Sequence, residues 1–144
     1  MAGKRSTVFV VAALLTLPAM ALAATGGGRV LVGNCNAAQY KPKQLELACG
    51  DGSNYLTRLN WKTWTATKAT ATGTHEINGC TPDCVSGQFH GYPATVTLSK
   101  PMTCKKTRHK LFGHIQLVYG SKHPGSKRTA SGPLFCPQSL PSSY

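Results

Sequence analysis

Trp61-Lys62-Thr63-Trp64, the Thr/Ala run Thr65-Ala66-Thr67-Lys68-Ala69-Thr70-Ala71-Thr72, Asn78-Gly79-Cys80-Thr81-Pro82-Asp83-Cys84 and Gly87-Gln88-Phe89 all fall between Leu59 and Phe89. This stretch joins the largest apolar side chains of the chain to its most closely spaced cysteines, so it holds both core and staple. The alternation of small and β-branched residues over Thr65–Thr72 fits a strand whose alanines allow close packing, and the strand reading is preferred to a mucin-like linker. Asn78-Gly79 then turns the chain. Trp61 and Trp64 are three residues apart and would face opposite sides of a regular strand. Either both are largely buried with a bulge or bend between them, which is the favoured reading, or Trp64 is a stacking platform for a ring-bearing ligand.

Upstream, Leu45, Leu47 and Cys49 alternate with Glu46 and Ala48, and a turn signal follows at Gly50-Asp51-Gly52-Ser53-Asn54. Tyr55, Thr57, Leu59 and Trp61 then alternate with Leu56, Arg58 and Asn60, which predicts a hairpin. Arg29 to Val32 reads as a short strand ending at Gly33-Asn34, and Asn36 to Lys43, with Pro42, as a polar loop. Downstream, Ala94, Val96 and Leu98 alternate with Thr95, Thr97 and Ser99 before Lys100-Pro101 ends the run. Leu111 to Tyr119 gives a further strand, with Leu111, Gly113, Ile115, Leu117 and Tyr119 on one face and Phe112, His114, Gln116 and Val118 on the other. No useful window shows helical periodicity. The sequence therefore predicts an all-β fold, a small disulfide-stapled β-sandwich or barrel of about six to eight strands.

The first 23 residues predict a secretory signal peptide: Lys4 and Arg5, an apolar Val8–Leu17, and Pro18 with Ala21-Leu22-Ala23 before the cleavage point. The apolar stretch is too short, and broken by Pro18, for a spanning helix of roughly 20 residues. Cleavage leaves 121 of the 144 residues, enough for one domain: a flexible leader and short strand over 24–34, then a single β domain over 35–144 with a mobile basic loop at 120–133. All six cysteines, Cys35, Cys49, Cys80, Cys84, Cys104 and Cys136, lie in this part, and an even number in an exported chain reads as disulfides. Sequential closure is expected: Cys35–Cys49, Cys80–Cys84 and Cys104–Cys136. A zinc site using Cys80, Cys84 and His75 or His90 is the weaker alternative, lacking a second cysteine pair. No metal and no cofactor is expected.

Removing Lys4 and Arg5 with the leader takes the formal charge from +12 to +10. The only carboxylates are Glu46, Asp51, Glu76 and Asp83, and every basic residue after Asp83 is uncompensated in sequence. Lys100, Lys105, Lys106, Arg108 and Lys110 fall in one connection, and Lys122, Lys127 and Arg128 in another. Those eight, with Trp64, are the candidate binding residues for an extracellular polyanion, although the two connections sit at opposite ends of the strand between them. A solvated, solubilising surface is the alternative reading of the same charge.

Cys49-Gly50-Asp51-Gly52, Leu59-x-Trp61-x-x-Trp64, Ala71-Thr72-Gly73-Thr74, Asn78-x-Cys80-x-Pro82-x-Cys84-x-x-Gly87-x-Phe89-His90-x-Tyr92-Pro93 and Leu98-Ser99-x-Pro101 resemble the pattern of a group of small secreted actinobacterial proteins. The resemblance covers Ala48 to Tyr119. It implies export and disulfides, and no activity that could be carried to these residues.

A ribonuclease-like enzyme would need a general base, a general acid and a cation, for which Glu76, His75 or His90, and Arg108 are the right types. His75 and Glu76 are neighbours, however, and on one strand they point to opposite faces. No Gly-x-Ser-x-Gly elbow supports a serine hydrolase. The sequence thus leads to a secreted, non-catalytic binding protein, most directly for an anionic cell-envelope polymer. The alternatives are a ribonuclease-like hydrolase, or a protein-binding or inhibitor module that presents the Cys80–Cys84 clip to a protein partner.

Overall fold

Among the described residues eight strands follow in the order β1 (Val32–Asn34), β2 (Ala37–Gln39), β3 (Leu45–Glu46), β4 (Asn54–Trp64), β5 (Ala69–Asn78), β6 (Phe89–Thr103), β7 (Lys110–Tyr119) and β8 (Thr129–Pro133). The computed structural model describes residues 29–105 and 109–137. The expected signal peptide, the start of the leader, Lys106 and Arg108 lie outside the described residues. No helix occurs among those described. Strands β3 to β8 form one antiparallel meander in chain order, curled into a half-barrel, and β1 and β2 form a separate small hairpin.

The predicted hairpin pairs Leu45 with Leu56 and Glu46 with Tyr55. Strict alternation along β4 fails. Leu56 and Leu59, three apart, are both 0% exposed, because the register slips between Thr57 and Asn60 where Arg58 takes φ 52°. The extra residue is a β-bulge that turns Leu59 back into the core. Gly73 lies opposite, and a Cβ there would come within 2.9 Å of both Leu59 Cδ2 and the Thr57 carbonyl oxygen. Glycine is what lets β5 approach the bulge. A second slip between Trp61 and Thr63 brings the two tryptophans together, with ring centroids 4.6 Å apart.

The strand expected over Thr65–Thr72 begins only at Ala69. Thr65 to Lys68 is a turn in which the Thr65 hydroxyl donates to the Lys68 carbonyl and accepts from the Lys68 amide. Strand β6 does not end at Lys100-Pro101 but runs on to Thr103. Both of its prolines are placed where the strand has a single neighbour: Pro93 pairs with Thr74 of β5 just beyond the last β7 partner, and Pro101 pairs with Phe112 of β7 beyond the last β5 partner. A missing N–H is tolerated where one side has no ladder. Within the loop expected at 120–133, Thr129–Pro133 forms β8 against β7. The polar loop at 36–43 likewise contains β2.

The concave face of the sheet carries Leu56, Leu59, Ala69, Ala71, Val96, Leu98, Ile115 and Leu117, all buried. Residues 30–43 cover its open side. Leu31 bridges in parallel to Leu111, exchanging backbone hydrogen bonds with Lys110 and Phe112. Trp64 Nε1 donates to the Val30 carbonyl and Trp61 Nε1 to the Pro42 carbonyl, each at 2.8 Å. The disulfides Cys35–Cys49, Cys80–Cys84 and Cys104–Cys136 follow the expected sequential pairing.

The meander gives the sheet two ends. At one lie the 47–53 turn, the Cys80–Cys84 clip and the 120–128 connection. At the other lie the 65–68 turn, Cys104 and Lys105 after β6, and the start of β7.

Candidate functional site

All four carboxylates occupy the first of these ends. Glu46 pairs with Tyr55 near the start of β4, Glu76 pairs with Tyr55 and Gly91, Asp51 sits in the 47–53 turn and Asp83 in the clip. Lys122, Lys127 and Arg128 share this end, with Lys122 Nζ 5.6 Å from the centroid of the Tyr92 ring. The other end carries no carboxylate. Lys62, Lys68, Lys100, Lys105 and Lys110 are exposed there, contributed by β4, the 65–68 turn, β6, the second residue after it and β7.

The covering segment adds two more cations at the basic end. Tyr40 packs edge-on against Trp64, the last residue of β4, at 5.1 Å. The Arg29 guanidinium lies 4.9 Å and the Lys41 ammonium 5.4 Å from the Tyr40 centroid. Two like charges held over one ring are each stabilised by its π-face but repel one another, so an anion placed between them is favoured. The fold therefore divides the sequence-predicted basic residues. Lys100, Lys105 and Lys110 come together with Arg29, Lys41, Lys62 and Lys68, which linear spacing did not connect, while Lys122, Lys127 and Arg128 are separated from them by the length of β7, roughly 30 Å.

Trp64 is half-buried. Tyr40, Trp61 and Phe112 contact its ring, at 5.1, 4.6 and 5.5 Å, and its N–H is spent on Val30. The more exposed aromatic ring at the basic end is that of Tyr40, which the sequence placed in an unremarkable polar loop.

The clip is fixed by its own polar groups. Asn78 Oδ1 accepts from the Cys80 amide and its Nδ2 donates to the Cys84 carbonyl, both at 2.8 Å. Asp83 Oδ1 accepts from the amides of Val85 and Ser86 and from the Ser86 hydroxyl. Those bonds, first of all the one from the Ser86 amide, hold its carboxyl below the ordinary value. Asp83 is a turn-capping residue, and Val85 beside it is 100% exposed.

His75 and Glu76 do point to opposite faces. Glu76 accepts from Thr57 Oγ1 at 3.3 Å and pairs with Arg58 at 3.4 Å. His75 is 4% exposed on the concave side. Its Nε2 lies 2.6 Å from Asn54 Oδ1 and its Nδ1 2.7 Å from the Tyr119 hydroxyl. The Asn54 oxygen only accepts, so Nε2 carries the proton and Nδ1 accepts from the Tyr119 O–H, a neutral imidazole with both nitrogens satisfied. Burial holds its pKa below the ordinary value. The pair does not form an acid–base dyad, and His90 is exposed on β6, where it pairs with Ile77. Every cysteine is in a disulfide, and among the described residues no group of three His, Cys, Asp or Glu side chains converges on a metal position.

His75 also lines a cavity of about 690 Å³ on the concave face. It lies between the 46–50 segment and β8, with Ile115 and Leu117 beneath. Sequence spacing gave no sign of it, since its walls come from segments far apart in the chain.

No protein-family model matches this chain, and neither a curated protein nor a solved structure matches it. What the chain does is accordingly inferred from its own geometry.

Proposed function

We propose that this chain is an exported, disulfide-stapled, non-catalytic domain that binds an extended extracellular polyanion, most directly an anionic cell-envelope polymer, through the basic end of its sheet. The observation that carries the reading is the separation of charge. Seven exposed cations, Arg29, Lys41, Lys62, Lys68, Lys100, Lys105 and Lys110, gather at one end, and all four carboxylates are at the other. An excess of charge spread for solubility has no need of such segregation, whereas a chain of phosphates or carboxylates is attracted most strongly where cations are not offset. The cations span several strands about 4.8 Å apart, a breadth suited to a polymer and too large for one small anion. Export is supported by three disulfides, which persist in oxidising compartments. Among the described residues no helix is long and apolar enough to cross a membrane.

The test is cosedimentation of the oxidised mature protein with isolated actinobacterial cell walls across a salt series. Binding that falls steeply as salt rises is expected, because exposed charges more than a Debye length apart, about 10 Å at 0.1 M, are screened. Absence of binding at low salt removes the reading. A second reading, a protein-binding module, is favoured by the rigid clip and its fully exposed Val85. It requires a protein partner whose binding changes little with salt and is lost on Val85→Asp.

A further inference from the structure

The cavity on the concave face is independent of the basic end and of the polyanion reading. We propose that it is a binding site for a neutral, mainly apolar small molecule carrying one hydrogen-bond acceptor. Its volume of about 690 Å³ lies within the ~300–1,000 Å³ range of small-molecule sites. Leu47, Ile115, Leu117 and Leu134 supply an apolar lining, and the disulfide-bonded Cys35, Cys49 and Cys136 border it.

The space is left by side-chain choice. In the β7–β8 pairing, Ala130 lies opposite Leu117 and Gly132 opposite Ile115. Leu117 and Ile115 are buried on the concave side, so residues 130 and 132 face the same way. A Cβ built on Gly132 meets nothing within 4 Å, and its φ lies outside the left-handed region. The backbone would accept a larger residue here, and burying one would stabilise the fold. Ala and Gly instead leave room.

The polar part of the lining selects the ligand. His75, neutral and with both nitrogens engaged, offers no charge. Asn54, which lines the cavity deep beside His75 while Asn36 and Ser131 lie along its exposed rim, has its oxygen committed to His75, which leaves its amide nitrogen to donate to a carbonyl or hydroxyl oxygen. Glu46 also borders the space, and its carboxylate disfavours an anion. The ligand is therefore unlike the polymer proposed for the basic end: uncharged, apolar in body, with a single oxygen acceptor.

Nile red, a neutral fused-ring dye with one ring carbonyl, is a suitable probe. Titrated with the oxidised chain, it is expected to give saturable, blue-shifted emission at one equivalent. Gly132→Trp should fill the cavity and weaken binding at least tenfold while raising or preserving the thermal midpoint. Gly132→Leu serves if the tryptophan variant does not fold. Thr129→Trp, placed opposite the outward-facing Val118, should bind as wild type, as should Lys100→Gln/Lys110→Gln. Emission that stays at its aqueous wavelength with wild type, or a folded Gly132 variant that binds as tightly as wild type, would overturn the proposal.

Discussion

The two ends of the curled sheet are made by the same strands, yet they are stabilised by different means. At the carboxylate end the chain is closed by tight turns and two short-range bridges, Cys35–Cys49 and Cys80–Cys84, and each turn spends its Asp as an acceptor for nearby amides: Asp51 for Ser53, Asp83 for Val85 and Ser86. At the basic end one long bridge leaves from Cys104, and the covering segment is held by tryptophan N–H groups that donate to the carbonyls of Val30 and Pro42. The first end sets its carboxylates beside turn amides, Arg58 and the exposed Lys122, Lys127 and Arg128, so charge of both signs meets there. The second leaves its charges facing solvent, and a surface of uncompensated cations is one that an external anion completes.

The sharpest way to break this comparison is to exchange charge. Replacing Lys68, Lys100, Lys105 and Lys110 by Gln should weaken cell-wall binding by about a thousandfold at low salt, taking ~1 kcal/mol for each cation near an anionic surface. Replacing Lys122, Lys127 and Arg128 should cost less than about threefold. Equal losses from both sets would mean that net charge, and not its segregation, drives association.

Next in size are the bridges. The Cys104–Cys136 bridge closes a 32-residue separation and the clip one of 4. In the chain-entropy model the first stabilises by roughly 3.5–4 kcal/mol and the clip by about 2. Double replacement by Ala, followed by urea unfolding, should rank them in that order. A clip that cost more would show that the carboxylate end carries strain-sensitive packing beyond loop closure.

A smaller effect, about 1 kcal/mol, is expected from Trp64→Phe, which keeps a ring against Tyr40 and Phe112 but leaves the Val30 carbonyl without its donor. The urea midpoint reads it. A neutral outcome would mean that water replaces the indole N–H and that the bridge to Leu111 and the Trp61 N–H on the Pro42 carbonyl suffice to hold the covering segment.

These two ends were not equally legible from the sequence. Periodicity marked Ala94–Leu98 and Leu111–Tyr119 because Ala94, Val96 and Leu98, and Ile115, Leu117 and Tyr119, are buried at every second position, although Phe112, expected on the opposite face from Leu111, is buried with it against Trp64; cysteine order anticipated the pairing because neighbouring turns close neighbouring loops. Alternation could not foresee the bulge at Arg58, where one residue with positive φ changes which face the following residues take. Lys100-Pro101 looked like a stop because proline lacks a donor, but the donor is needed only where a second strand lies alongside. The basic end was half visible: Lys100, Lys105 and Lys110 are close in sequence, whereas Arg29, Lys41, Lys62 and Lys68 reach them only through antiparallel pairing and the covering segment. The cavity was invisible, since it depends on which small residues of β8 face Ile115 and Leu117.

The smallest expected effect concerns the buried imidazole near the carboxylate end. Burial, outweighing the Glu76 carboxylate that acts in the opposite direction, holds the His75 pKa below its ordinary 6.5. As pH falls past about 6.5 the unfolded chain therefore takes up a proton before the folded one does, and stability, complete above that pH, declines. Tyr119, its hydrogen-bond partner, behaves in mirror fashion: burial raises its pKa above 10.0, so the unfolded chain loses the proton first and stability declines as pH rises past that value. A plateau bounded by the two residues of one hydrogen bond follows. His75→Gln should be less stable at pH 7, because the buried pair is disrupted, yet flatter between pH 7 and 5, because the group that titrates is gone. Urea midpoints measured at half-unit steps would show it, and a variant that keeps the wild-type slope would assign the acid limb to some group other than His75.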